Sequence, residues 1–284
     1  MPISNLAIIG ESINDSVPST HALFEANDLA GIRNLAKVQA DLGAVYIDVN
    51  VGPRPPAFMA EMVRSVQKVT DKPLSIDSPD FATAKAGLEA YDASHGTPIL
   101  NSISPLRLEM FDLLAVKPFR PILLASENLK DGAGMPCVTA EETCAAARLL
   151  LETARRHGLG NGDCIIDPGI APIGTDTENN IHRLMGALRL MRADPAFAGI
   201  HVSVGLSNFT VMLPSKRADG SPVKTPLASA FLTRAMPLGL DMIIGSAKLP
   251  YTLLPEGHPA LQCFDDCLAA EGFDVLVRVQ EFYS

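Results

Sequence analysis

Gly43-Ala-Val-Tyr-Ile-Asp-Val-Asn-Val-Gly-Pro53 decides the fold of this chain. Gly43 follows a helical run and stops it, because glycine accepts the left-handed backbone that closes a helix. Ala44–Val51 is then β-rich and largely apolar, as in a strand covered on both faces of a parallel sheet. Its far end carries Asp48 and Asn50, and Gly52 and Pro53 turn the chain. The same unit recurs on both sides. Further strand candidates are Leu6–Ile13, Pro73–Ser78, Pro98–Ser104, Arg120–Ser126, Asp163–Pro168, His201–Asn208 and Asp241–Ser246. Between them, apolar residues return at helical spacing, as in Phe58, Met62, Val66 and Val69, or Ile181, Leu184, Met185, Leu188 and Met191. Thr143, Ala147, Leu150, Leu151 and Ala154 form a third such stripe, and Gly158 and Gly239 repeat the stop made by Gly43.

Eight strand–helix units with no linker or break in composition imply one α/β domain over residues 1–284, a (β/α)8 or TIM barrel. An open doubly wound sheet is the competing architecture, but it normally holds fewer strands in 284 residues. Hydrophobic residues make up 47% of the chain and charged ones 19%, which gives a globular core and excludes a disordered chain. The formal charge is −9, which argues against nucleic acid or an anionic membrane as the main partner. The opening MPISNLAIIGES reads as a strand and not as a signal peptide, and no apolar run approaches the ~18 residues of a membrane span. Five cysteines without a C-x-x-C pair point to a reduced, cytoplasmic compartment. Cys263 and Cys267 can share one helix face, where thiols pack as small hydrophobes, and no metal site is expected.

Chemistry on such a barrel collects at the C-terminal ends of the strands. Those ends carry Glu11, Ser12 and Asn14; Asp48 and Asn50; Asp77 and Ser78; Asn101 and Ser102; Ser126 and Glu127; Asp167; Ser207 and Asn208; Ser246 and Lys248. Loop polarity explains many of these. It explains less well why Asp77, Asn101 and Asp167 directly follow apolar cores, where their side chains should enter the barrel mouth. Buried carboxylates and amides need partners, and few basic residues are near. A ligand rich in N–H donors would satisfy them. No H-E-x-x-H, zinc-spaced cysteine pair or G-x-S-x-G is present. Lys130–Gly134 and Gly169–Gly174 are not phosphate loops, and of the histidines only His21 and His258 fall in loops able to reach the mouth, both expected in solvent.

Six segments occur in a telling order: Ile8-Ile-Gly-Glu-Ser-Ile-Asn14, residues 43–53, Ser75-Ile-Asp-Ser78, Asn101-Ser-Ile-Ser104, Ile166-Asp-Pro168 and Gly205-Leu-Ser-Asn208. Together they resemble the pterin-binding methyltransferases. That family includes methyltetrahydrofolate:corrinoid/iron–sulfur-protein methyltransferase and the folate domain of cobalamin-dependent methionine synthase. Dihydropteroate synthase shares the barrel and the pterin pocket more distantly. The resemblance implies a dihydropteroate-synthase-like barrel, a homodimer, and tetrahydrofolate or 5-methyltetrahydrofolate as substrate. It also implies cobalamin carried by a separate corrinoid protein, since no D-x-H-x-x-G motif is present. Asp77, Asn101 and Asp167 match the family's pterin contacts, with Asp167 as the carboxylate that forks onto the ring N–H and the exocyclic NH2. Asn208 matches the donor to N5, and Glu11, Asn14, Asp48, Asn50 and Ser207 complete the folate pocket.

The reaction so implied moves a methyl group between N5 and the corrinoid cobalt, in either direction. N5 leaves poorly unless a hydrogen bond or proton strengthens as the methyl departs. The chain also departs from the pattern. Residues 209–225 form a longer loop than usual, with Val211 where relatives commonly carry glutamine. Gly220 and Pro222 make this loop a candidate lid, and Lys216, Arg217 and Lys224 are candidates for a folate glutamate tail. The region after Leu249 matches poorly. Two other functions compete: a pterin condensation like that of dihydropteroate synthase, which needs a basic pyrophosphate site, and a non-catalytic folate-binding subunit.

Overall fold

The computed structural model describes residues 3–284. Its strands are β1 (Ala7–Asn14), β2 (Tyr46–Asn50), β3 (Leu74–Asp77), β4 (Ile99–Ile103), β5 (Arg120–Leu124), β6 (Glu127–Lys130), β7 (Ala133–Pro136), β8 (Ile165–Asp167), β9 (His201–Val202) and β10 (Met242–Gly245). All except β6 and β7 form one parallel sheet in the order β10-β1-β2-β3-β4-β5-β8-β9. The two ends of that order meet. Asp241 N–H donates to the Val202 carbonyl at 3.2 Å and Ile244 N–H to that of Val204 at 2.9 Å, so the sheet closes into the expected TIM barrel.

Around it lie α1 (Pro18–Glu25), α2 (Leu29–Asp41), α3 (Pro56–Val66), α4 (Phe81–Ala90), α5 (Ala140–Arg156), α6 (Asn180–Ala193), α7 (Leu206–Phe209), α8 (Lys224–Ala235), α9 (Pro259–Ala269) and α10 (Phe273–Tyr283). Sequence dictates several starts. Asp28, Asp80 and Thr139 each accept a backbone N–H from the first turn of the helix they precede. Gly43, Gly158 and Gly239 sit at φ 95°, 86° and 107°, the left-handed stop expected of them. The stripes on α5 and α6 are buried at every position named from the sequence. Among the described residues no helix is long and apolar enough to cross a membrane.

Alternation along the strands positions the site. Ile47, Val49, Leu74, Ile76, Leu100 and Ile166 pack outward in the core shared with the helices. Ile9, Ile99, Ile122, Ile165 and Met242 form a separate cluster that plugs the barrel interior. The strand period of two then places Glu11, Asp48, Asn50, Asp77, Asn101 and Asp167 on that same inner face, toward the C-terminal ends. The near-continuous apolar runs therefore conceal an apolar floor beneath a polar mouth.

Three expectations need correction. The seventh strand covers only His201–Val202, because the chain turns at Gly205 and Leu206–Phe209 forms a helical turn. His21 lies on α1, half exposed and hydrogen-bonded to Asp15, and not in a loop. Residues 127–136 form an antiparallel hairpin beyond β5 that the strand reading passed over.

Candidate functional site

Strand register builds the mouth one tier at a time. Asn14 pairs with Asn50, Asn50 with Asp77, and Asp77 with Asn101, so four successive strands present a polar residue at one level. Asp48, opposite Ser75, lies one tier below. Register shifts interrupt β1 between Gly10 and Ile13 and β4 between Asn101 and Ile103. Such bulges re-aim side chains at a barrel rim, here Glu11 and Ser102.

Hydrogen bonds sort these residues. Asn50 donates its amide to Asp77 at 2.8 Å while its carbonyl oxygen accepts the Gly52 N–H at 2.9 Å, which fixes the amide orientation. Asn14 is taken up locally, accepting the Ser16 N–H at 2.9 Å. Ser207 donates its hydroxyl to Glu11, tying the turn after β9 to the tip of β1. The Asp167 carboxylate accepts the Gly169 N–H at 2.7 Å, the only hydrogen bond to that carboxylate among the described residues. Asp48 is 1% exposed and no donor reaches either of its oxygens with hydrogen-bond geometry.

Electrostatics follow from this shortage of donors. Burial, reinforced by the neighbouring Asp77 carboxylate, holds the Asp48 carboxyl well above its usual range, and nearby Ser75 and Asn101 only partly offset this. Burial raises Asp77 to about 6 against the Asn50 hydrogen bond and the more distant Arg107. It raises Asp167 to about 6 as well, against the Gly169 N–H and Arg183. Glu11 is also raised by burial, with the Ser207 hydroxyl opposing. The mouth thus holds four carboxyl groups with heightened proton affinity, an arrangement typical of sites that bind donors or move protons.

Asn208 stands apart. Its exposed amide makes no hydrogen bond among the described residues and lies over Gly205, where a Cβ would come within 2.9 Å of its Nδ2. Beneath it Leu206 and Phe209 are buried, and Phe209 packs on Phe231 at 5.3 Å and Phe264 at 6.0 Å. The turn is packed from below and the amide is free.

Two of the cations near the mouth, Arg54 and Arg183, are already engaged. Arg54 lies between Phe24 and Phe58 and pairs with Asp15 and Glu25. It lines a cleft of about 570 Å3 that opens onto Asn50 and Asp77 between Pro53, Pro56 and Pro79. Arg183, 6% exposed, donates to the carbonyls of Pro168 and Gly169 at 2.6 and 2.9 Å and so holds the loop after Asp167. Arg107 approaches Glu127 at 3.8 Å. Of the loop cations, Lys224 donates to the Val211 carbonyl at 3.2 Å, Arg217 stacks on Phe282, and only Lys216 stays fully exposed. Arg107, Arg183 and Tyr251 escape a reading of the sequence. Tyr251 is buried near Glu11, which with burial raises its hydroxyl pKa. Nothing in its surroundings along the chain marks it. Another cleft, about 270 Å3 around Met191, Pro195, Phe197 and Leu238, lies at the opposite end of the barrel and carries no comparable polar array.

A family model described as pterin binding enzyme matches residues 13–245. The chain belongs to the pterin binding enzyme family. A curated relative, the methylcorrinoid:tetrahydrofolate methyltransferase of Eubacterium limosum, is 29% identical over 245 residues, covering 84% of each chain. Among solved structures, dihydropteroate synthase from Xanthomonas albilineans in complex with 7,8-dihydropteroate aligns over 95% of this chain and 96% of its own, with TM-score 0.58 and 18% identity. The synthase of Thermus thermophilus aligns over 87% and 89%, with TM-score 0.55 and 19% identity. At that identity the synthases establish the barrel alone. For a pterin binding enzyme the mouth is suitably built, since paired carboxylates and amides complement the adjacent N–H and NH2 donors of a pterin edge.

Proposed function

We propose that this enzyme is a methyltransferase that moves a methyl group between a corrinoid carried by a partner protein and N5 of tetrahydrofolate, with the corrinoid as the physiological donor. The name of the Eubacterium limosum relative supports that direction. The observation that carries the reading is the free amide of Asn208, set beside the Ser207–Glu11 pair in the mouth that holds Asp77, Asn101 and Asp167.

In this reading Asp167 accepts the pterin ring N–H and exocyclic NH2, while Asp77 and Asn101 hold the opposite part of the ring. The corrinoid supplies the methyl group and keeps the Co–C electron pair. N5 gives its lone pair to the methyl carbon and releases its proton, which Glu11, tied through the Ser207 hydroxyl to the turn that carries Asn208, is suited to take up. Asn208 hydrogen-bonds N5 without adding charge, and the same groups serve the reverse transfer. The engaged state of Arg54 and Arg183 withholds two nearby cations from the free anion site that a pyrophosphate-releasing condensation would need.

Incubation of the native chain with methylcobalamin and tetrahydrofolate tests this, followed by the change in corrinoid absorbance. Asn208→Ala should lower kcat by roughly 10²–10³-fold, the range seen when one transition-state donor is removed. Folate affinity should change little. No spectral change at high enzyme concentration rejects the methyltransferase reading, and equal losses in kcat and affinity reject the role of Asn208.

A further inference from the structure

Residues 210–223 leave the Asn208 turn and reach α8 through a folded excursion. Val223 N–H donates to the Ser215 carbonyl at 3.2 Å, Arg217 N–H to that of Ser221 at 2.8 Å, and Gly220 N–H to that of Arg217 at 3.0 Å. Asp219 closes the tip by accepting the Ser221 N–H at 2.8 Å. This small hairpin is seated on the end of the chain. The Arg217 guanidinium lies 4.7 Å over the Phe282 ring, and Ala218 N–H donates to the Tyr283 carbonyl at 3.2 Å. Among the described residues, the Arg217 side chain makes no ion pair or hydrogen bond, and its Nε is buried. Its contact with Phe282 is therefore its principal tie.

The base of the excursion is held from the other side. Leu213, 6% exposed, fills the space that Gly174 leaves open, where a Cβ would come within 2.7 Å of the leucine Cδ2. Gly174 belongs to the turn Ile173–Thr175 in the segment that leads from Asp167 to α6, and α10 packs on that turn. The start of α10 is pinned there too, by Gly272 N–H donating to the Asn179 side chain at 2.7 Å. One helix thus contacts both loops that leave the pterin-facing tips, the loop after Asp167 and the loop after Asn208.

We propose that α10 is a strap that positions Asn208, with Arg217 and Phe282 as positioning residues. The inference rests on the reading of Asn208 as the donor to N5. The physical need is plain: the Asn208 amide has no hydrogen bond of its own, so its placement depends on the single turn α7 and on the segment that follows. Reaction rates are sensitive to such placement, because an error of about 1 Å can cost a hundredfold. The excursion is consequently a tethered platform and not a free lid.

Arg217→Ala in the full-length chain tests the strap, since among the described residues the side chain makes no ion pair or hydrogen bond that the substitution would also remove. Amide hydrogen exchange across residues 206–222 should quicken, and kcat should fall about tenfold while the folate KM stays within about twofold, the signature of a misplaced reacting group. Arg217→Lys, which retains a cation for the Phe282 face, should recover part of kcat, and Phe282→Leu should reproduce the loss. Unchanged exchange in Arg217→Ala overturns the strap. Quickened exchange with unchanged kcat overturns its positioning role. A native enzyme with no methyl transfer would instead refute the proposed reaction and, with it, the role of the strap in that reaction; the exchange measurement needs no substrate and still decides the tether.

Discussion

Asp167 and Asp48 are both buried acids on the inner face of the barrel, and they differ in what burial does for them. Asp167 keeps one backbone donor, and its carboxyl titrates at about 6. A pterin edge binds best to the ionised form, which accepts two hydrogen bonds. Tetrahydrofolate affinity should therefore weaken as pH falls from 7.5 to 5, and Asp167→Asn should cost roughly 10–100-fold at pH 7.5, the worth of a charge-assisted pair. Titration calorimetry across that range checks both, and a pH-independent affinity would contradict the assignment. Asp48 has no donor, so its raised pKa acts on stability. Below the unfolded value near 3.8, both states hold the proton and no penalty arises. As pH rises toward the raised folded value, the unfolded chain releases its proton first and stability is lost. Asp48→Asn should raise Tm at pH 8 and raise it less at pH 5, at about 2–4 °C for each kcal/mol regained. Equal shifts at the two pH values in scanning fluorimetry would remove the buried-charge explanation. The carboxylates themselves were legible, because acids directly after apolar cores stand out. Arg183 was not: it sits among the polar positions of α6, and only the fold turns it inward to the carbonyls after Asp167.

At the scale of elements, the junction of β9 with α7 decides where Asn208 points. The strand pattern of the sequence runs through Asn208, yet Gly205 breaks it and the i,i+3 pair Leu206 and Phe209 winds one helical turn. That spacing was in the sequence but too short to outweigh the preceding strand. Gly205 has φ −73°, so glycine is needed there for space and not for backbone freedom. An alanine Cβ would meet Asn208 Nδ2 at 2.9 Å, the movable end of a side chain. Gly205→Ala should thus fold normally, with an unchanged melting temperature, while kcat falls toward that of Asn208→Ala. Parallel unfolding and turnover measurements separate the two, and full activity would show that the amide has room to spare. The hairpin of β6 and β7 was legible in principle. Asp131-Gly132, at φ 51° and 78°, is the two-residue turn that joins antiparallel strands, but the hairpin lies between two strands of the parallel pattern and adds no unit to it.

That hairpin matters for the molecule as a whole. It rises from the C-terminal face of the barrel, with Gly134 against Leu106 and Glu127 near Arg107; it carries Leu129 and Met135 at 53% and 47% exposure, and Val138 just beyond it is 63% exposed. In the proposed reaction a corrinoid borne by a protein would approach Asn208 from this face, since the opposite end of the barrel is filled by Ile9, Ile99, Ile122 and Ile165. The carrier would then cover the apolar rim, whereas free methylcobalamin need not touch it. Covering half of a leucine side chain is worth about 0.75–1.5 kcal/mol, and a carboxylate in its place adds a desolvation cost. Leu129→Glu should therefore lower kcat/KM for the carrier-bound methylcorrinoid by about tenfold or more, with most of the change in KM. Turnover of free methylcobalamin with tetrahydrofolate should be unchanged, because Leu129 is 53% exposed on the hairpin and the substitution adds its charge at the solvent-facing rim. A loss shared equally by both donors would mean that the hairpin shapes the mouth itself. No loss with either would place the carrier on another part of the rim.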